Sequence, residues 1–226
     1  MRAPHYRIAA ALVAATALGA CARGMQLAPG TGVISVEEAR TAPAAGGMGA
    51  AMYDHTAADV HFMSGMIAHH AQAVVMAGWA VSHGASDAIR RLCERIVVGQ
   101  NDEIVLMQTW LRDRREPVPS ATATRMRMVM NGMEHDMLMP GMLSDEQMAQ
   151  LDKARGVDFD RLFLHGMIGH HEGAIIMVDE LFNSPGAGQE EIVFRFASDV
   201  YADQTTEIGF MQKMLAALPG GGDRSP

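Results

Sequence analysis

Two pairs of adjacent histidines carry the most specific chemistry in this chain. His69 and His70 follow Phe62, Met66 and Ile67 and precede Ala73 and Met76; the same residue types recur 101 positions later as Phe163, Met167, Ile168, His170, His171, Ala174 and Met177. On a helix turning about 100° per residue, Phe62, Met66, His69, Ala73 and Met76 fall within an arc of about 80°. Imidazole and thioether therefore share one face, twice. Neutral imidazole is a borderline ligand and thioether a soft, uncharged one, a combination suited to Cu(I) and favouring it over Cu(II). Side chains three or four apart on a helix lie about 5 to 6 Å apart at Cβ. Met66 with His69 or His70, and Met167 with His170 or His171, are thus each close enough to share an ion with a third ligand from a neighbouring helix.

A second candidate lies between the copies. Residues 125–148 hold Met126, Met128, Met130, Met133, Met137, Met139, Met142 and Met148 around Glu134, His135 and Asp136. A purely apolar segment would use leucine, so Met133, His135, Met137 and Met139 are read as metal ligands. Methionine needs no deprotonation and forms no disulfide in an oxidising compartment, although it can be oxidised to the sulfoxide. Met126, Met130, Met133 and Met137 have the i, i+4, i+7, i+11 spacing of a helical face, which predicts a helix ended by Pro140 and Gly141.

Each of these residues also has a plainer reading. Methionine at helical spacing is usually core, and Met76, Met107, Met177 and Met211 are read as packing. Glu103 and Glu207 lie on the inner faces of their helices, where a carboxylate requires a partner. Each either accepts a hydrogen bond from a histidine of its own hairpin, fixing register without metal, or orients a liganding imidazole. The sequence leaves both open. His61, His83 and His165 fall off the central stripe and are expected to be exposed. Cys93 is read as a small buried thiol.

The elements that must position these groups are helical. Helices from near Asp54 or Thr56 to Gly84, from Ser86 to the charged run before Pro117, from about Asp158 to Phe182, and from about Gln189 to Leu218 make two hairpins, 54–116 and 156–218. The repeat reaches the last helix, since Gln100, Glu103, Ile104, Met107 and Leu111 match Gln204, Glu207, Ile208, Met211 and Leu215 at a shift of 104. Ser144 with Gln147 predicts a capping box for a short helix to about Arg155. Four long amphipathic helices and no convincing strand imply an all-α four-helix bundle over residues 51–218, with a Met-rich helical insert at 120–155.

The first 21 residues read as an export signal, with Arg2 and Arg7 before an apolar run from Ile8 to Leu18. Leu18, Gly19, Ala20 and Cys21 form a lipobox-like end, which makes Cys21 a lipidation site. Residues 22–50, rich in Ala, Gly and Thr, read as a flexible tether and 219–226 as a disordered tail. The chain carries 18 basic and 26 acidic residues, a net charge of −8, which becomes −10 once Arg2 and Arg7 are removed. An acidic chain has no electrostatic reason to seek nucleic acid. With no apolar run of the roughly 18 to 20 residues a spanning helix needs, membrane contact is expected through the lipid anchor only.

The doubled pattern, Asp59, Phe62, Met66, Ile67, His69, His70, Ala73, Met76 and Asp160, Phe163, Met167, Ile168, His170, His171, Gly173, Ala174, Met177, with Pro140, Gly141 and Met142 between, resembles the family catalogued as domain of unknown function 305. The resemblance covers residues 54–216. It implies a ferritin-like four-helix bundle, export to the periplasm or cell envelope, and, from its characterised members, copper binding. The expected function is an envelope-anchored protein that sequesters copper or hands it to a copper-transfer protein, with no turnover. Two alternatives stand beside it: a metal-free structural lipoprotein, and a ferritin-like metal-dependent oxidoreductase. The latter needs Glu-x-x-His motifs; no glutamate here has histidine at i+3. Nor is there a His-Glu-x-x-His zinc motif, because Ile175 stands where its second histidine would.

Overall fold

Thr56 starts the first helix because its hydroxyl accepts from the Asp59 backbone N–H while Asp59 accepts from the Thr56 N–H, a reciprocal capping box. The computed structural model describes residues 55–130 and 132–219; the expected signal, Cys21, the tether and most of the tail lie outside them. α1 spans Ala57–Gly78. After a turn through Gly84 at φ 68°, Ser86 caps α2, Asp87–Asp113, which folds back along α1. A second hairpin pairs α4, Val157–Asn183, with α5, Glu191–Ala217, and α1 packs on α4. Between the hairpins, α3 covers Asp145–Lys153 with the Ser144/Gln147 capping box that the sequence predicts. None of the described helices is long and apolar enough to cross a membrane. The architecture is the helical bundle expected from the repeat.

The duplicated aspartates join the hairpins. Asp59 Oδ1 accepts from the Gly188 N–H at 2.7 Å, just before α5, and Asp160 accepts from the Ser86 N–H at 3.2 Å, at the start of α2. Each buried carboxylate thus anchors the backbone at the entry to a helix of the other hairpin, where the N-terminal helix dipole favours negative charge.

The Met-rich segment differs from expectation. Residues 126–137 form no helix; β1, Met126–Met130, pairs antiparallel with β2, Met133–Met137, around a turn in which Gly132 has φ 75°. Positions 126, 130, 133 and 137 fit a strand alternation as well as a helical stripe. The Asn131–Gly132 dipeptide, a strong two-residue hairpin signal, decides between the two periods. Met126 stands opposite Met137, Met128 opposite His135, and Met130 opposite Met133.

The apolar core is in two parts. One joins Phe62, Met63, Met66 and Ile67 to Ile104, Met107, Met177, Val178 and Phe196; the other joins Ala73, Met76 and Leu92 to Phe163, Leu164, Met167 and Met211. Because α1 and α4 run antiparallel, the first half takes the start of α1 with the end of α4, and the second half the reverse. The histidine pairs fall at the division.

Candidate metal centre

A layer of polar side chains crosses the bundle where hydrocarbon would otherwise be continuous. His69, His70, Gln72, Gln100, His170, His171 and Gln204 are all buried there. The helical repeat places them: one turn of α1 and the matching turn of α4 carry the imidazoles, and the matching inward positions on α2 and α5 are Gln100 and Gln204. Burying polar groups costs free energy unless they are paired, so the partners define what this layer can do.

Three imidazoles are oriented from behind. His70 Nε2–H donates to Glu103 Oε2 at 2.5 Å and His171 Nε2–H to Glu207 Oε2 at 2.7 Å, each within its own hairpin. His69 Nε2–H donates to the Pro140 carbonyl at 3.0 Å. A carbonyl only accepts and a carboxylate accepts, so each ring presents an N–H at Nε2 and turns Nδ1 the other way. The Nδ1 atoms of His69, His70 and His171 are buried without a partner, and His170 has none at either nitrogen. An Nε2–H held by carboxylate or carbonyl with Nδ1 left bare is the arrangement of a liganding histidine and its orienting group. The hydrogen bonds to Glu103 and Glu207 equally fulfil the metal-free reading of those residues.

The His69 and His170 rings lie in contact, centroids 3.7 Å apart and planes at 41°, while the rings within each pair are 6.4 and 6.3 Å apart. Contact at that distance leaves no space between the central rings, so any ion would take the Nδ1 side. Burial, and then the neighbouring His70, lowers the His69 pKa to about 3. Burial, and then His69 and His171, holds His170 well below the imidazole range. Both are neutral bases at physiological pH, with no proton to compete with a cation. Among the described residues no three His, Cys, Asp or Glu side chains are grouped to hold a metal ion, so ligation here would have to draw on thioether sulfur.

The connection after the hairpin reaches the layer as a strap. Gln72 clamps it, donating to the Leu143 carbonyl at 2.9 Å and accepting from the Leu143 N–H at 2.8 Å. Gly141, at φ 74°, and Gly173 let the strap touch α4: a Cβ at Gly173 would lie 2.0 Å from the Pro140 oxygen. Gln72 and Gly173 are equivalent in the repeat, so one copy grips the strap with a side chain and the other makes room for it. Sequence reasoning missed Gln72 and the Pro140 carbonyl. A lone amide in the apolar stretch of α1 was the only signal for the first, and a backbone acceptor leaves none.

The remaining expected ligands separate into two places. Met66 and Met167 are fully buried, one in each apolar half. Met133, His135 and Met137 are exposed on β2, with Met137 opposite Met126 and His135 opposite Met128, while Arg127 pairs with Glu134 and Asp136 at 3.4 and 3.6 Å. Met139 leaves the hairpin and is buried against Gly65 and Met177. His61 and His165 are exposed as expected. His83 is not: it is buried against Trp79 and Phe159 and bonds the Asp152 carbonyl and carboxylate at 2.9 and 3.1 Å, tying the end of α1 to α3. Helical spacing alone missed this because His83 lies beyond α1, in the turn. Cys93 is a buried free thiol whose pKa is pushed up to about 12 by burial and by the charge of Asp160, which makes it a packing residue rather than a thiolate ligand.

The chain is 26% identical to a DUF305 protein of Streptomyces coelicolor, over 70% of this chain and 92% of that one, with a TM-score of 0.58. A DUF305 fragment of Deinococcus radiodurans is 25% identical over 73% and 99%, with a TM-score of 0.59. CopM in its Cu(I)-bound form is 25% identical over 69% and 94%, with a TM-score of 0.51, and its Cu(II)-bound, silver-bound and apo forms also match. An uncharacterised protein of Acanthamoeba polyphaga mimivirus shares 33% identity over 57 residues, which span 25% of this chain and 38% of that protein. With the sequence model of the family matching residues 59–215, the chain belongs to the domain of unknown function family DUF305.

Proposed function

We propose that this protein binds copper, as Cu(I), through imidazole and thioether ligands, and that it sequesters the ion or passes it on without turnover. The observation that carries the reading is the buried polar layer, where five imidazole nitrogens have no partner. An unpaired buried polar group costs roughly 1–3 kcal/mol, and a soft cation that accepts nitrogen lone pairs offsets that cost for the bare Nδ1 atoms. Likeness to copper- and silver-bound CopM supports the choice of metal. The hairpin is the faster place to load, since Met133, His135 and Met137 are exposed, and the core is the more selective one. Export and anchoring through Cys21 are part of the proposal, because thioether ligands suit an oxidising compartment.

A metal-free structural role is the second reading. It is favoured by the Nε2 hydrogen bonds of His69, His70 and His171, which already fix the register of both hairpins and the strap. Anaerobic competition for Cu(I) against a chromophoric chelator separates the two. The chain is expected to withdraw Cu(I) from micromolar chelator, and His69→Ala/His70→Ala and Met133→Ala/Met137→Ala each to withdraw less. Absence of competition by the parent chain would remove the copper reading.

A further inference from the structure

A cavity of about 230 Å³ opens between the start of α1 and the end of α4. Phe62 and Leu181 form its apolar wall, Met139 and Met177 reach into it, and His61 and Glu180 stand exposed around it. Gly65, one helical turn after His61, explains how the sulfurs come together: a Cβ there would meet Met139 Cε at 2.7 Å, Met139 Sδ at 3.3 Å and Met177 Cε at 3.3 Å. Two thioethers from different elements converge over a residue with no side chain, beside an imidazole on the same helix.

The repeat supplies an internal control. Shifted by 101 residues, Gly65 becomes Gly166, Met177 corresponds to Met76, and His61 corresponds to Leu162. A Cβ at Gly166 would meet Leu143 Cδ2 at 3.2 Å and Met76 Cε at 3.3 Å. The same niche is therefore built twice, once with leucine where the other copy has Met139, and with leucine where the other has His61. Packing is satisfied by leucine at both positions. The copy beside the cavity instead carries two sulfurs and a nitrogen.

We infer that His61, Met139 and Met177 form a solvent-accessible site for a soft monovalent cation, Cu(I) or its analogue Ag(I), distinct from the histidine layer and from the β-hairpin. The inference rests on the copper reading above and adds a place to it. Uncharged sulfur and imidazole suit a soft d¹⁰ ion of low coordination number. The exposed His61 ring is free to swing over the cavity, the flexible methionine chains adapt to the ion, and the Glu180 carboxylate at the rim raises the local cation concentration.

The test titrates the chain anaerobically with Ag(I) while following methionine ε-methyl resonances, and counts Cu(I) retained against the chromophoric chelator. The Met139 and Met177 methyls are expected to shift with silver. The variant His61→Leu/Met139→Leu, which copies the niche around Gly166, is expected to retain one Cu(I) fewer per chain with an unchanged circular dichroism spectrum, while His69→Ala/His70→Ala keeps that ion. Methyl resonances of Met139 and Met177 that stay fixed, or a double-leucine variant that retains as much Cu(I) as the parent, would overturn this site and leave the copper reading standing. A parent chain that retains no Cu(I) would remove both.

Discussion

His69 and His170 are bases that the surrounding hydrocarbon keeps from taking up protons. An unfolded histidine titrates near 6.5, whereas His69 in the fold is lowered to about 3 by burial and by His70, and His170 is displaced the same way. Between those values the unfolded chain binds protons that the folded chain does not. Stability therefore falls as the pH drops from about 6.5, by at most about 1.4 kcal/mol per pH unit for each histidine. The urea midpoint of the metal-free protein is expected to decline between pH 6.5 and 5, and His170→Leu to reduce that slope by about half. A midpoint unchanged over this interval would contradict the depressed values. Above pH 6.5 both rings stay neutral, so Cu(I) uptake by the layer carries no proton competition from them.

The strap is the element on which the site's geometry depends, and two glycines on α4 test it. An alanine at Gly173 would drive its Cβ into the Pro140 carbonyl at 2.0 Å, whereas one at Gly169 would meet nothing within 4 Å. Gly173→Ala is expected to destabilise by roughly 1–3 kcal/mol through overpacking, and Gly169→Ala to stabilise by about 0.5–1 kcal/mol by restricting the unfolded chain; denaturant melts compare them directly. The hairpin behaves differently: Met133 is 61% and Met137 40% exposed, so Met133→Leu/Met137→Leu should leave the melting midpoint within about 0.5 kcal/mol of the parent while reducing Cu(I) uptake, which separates ligand loss from unfolding. These elements were unequally legible in the sequence. Thr56, Ser86 and Ser144 mark their helix starts by side-chain chemistry, and long 3.6-residue periods locate the bundle helices, except that α1 ends at Gly78 and a turn fills the stretch to Gly84 where the helix was expected to run on. The pairing of Glu103 and Glu207 with histidines of their own hairpins was visible as one of two options. The β-hairpin was hidden because Met126, Met130, Met133 and Met137 satisfy a helical period as readily as a strand pairing. His69 bonding to Pro140 was out of reach, since backbone contacts across 71 residues leave no trace in side-chain type.

At the scale of the molecule, a duplicated hairpin has been made asymmetric by one inserted connection. His69 receives the Pro140 carbonyl while its counterpart His170 receives nothing, and Gly65 receives Met139 while Gly166 receives Leu143. Both differences arise where residues 139–143 cross between the halves: the connection satisfies His69 Nε2 but not His170, and it sets a second sulfur over α1 where α4 has leucine. Copper bound in the layer would link α1 and α4, one helix from each hairpin, and would oppose their separation on unfolding. Copper bound on the hairpin alone would link only β1 and β2, which can detach while the bundle persists. A ligand at 100 times its dissociation constant stabilises the form that binds it by about 2.7 kcal/mol, which for a chain of this size raises Tm by roughly 5–10 °C. Helical melting followed at 222 nm should therefore rise by that amount with Cu(I) under anaerobic conditions, and the rise should shrink in His69→Ala/His70→Ala, which keeps only the ion beside Gly65, but survive in full in Met133→Leu/Met137→Leu. A rise lost only in the hairpin variant would place the strongly held ion outside the core and reduce the histidine layer to a device for setting the register of the two hairpins.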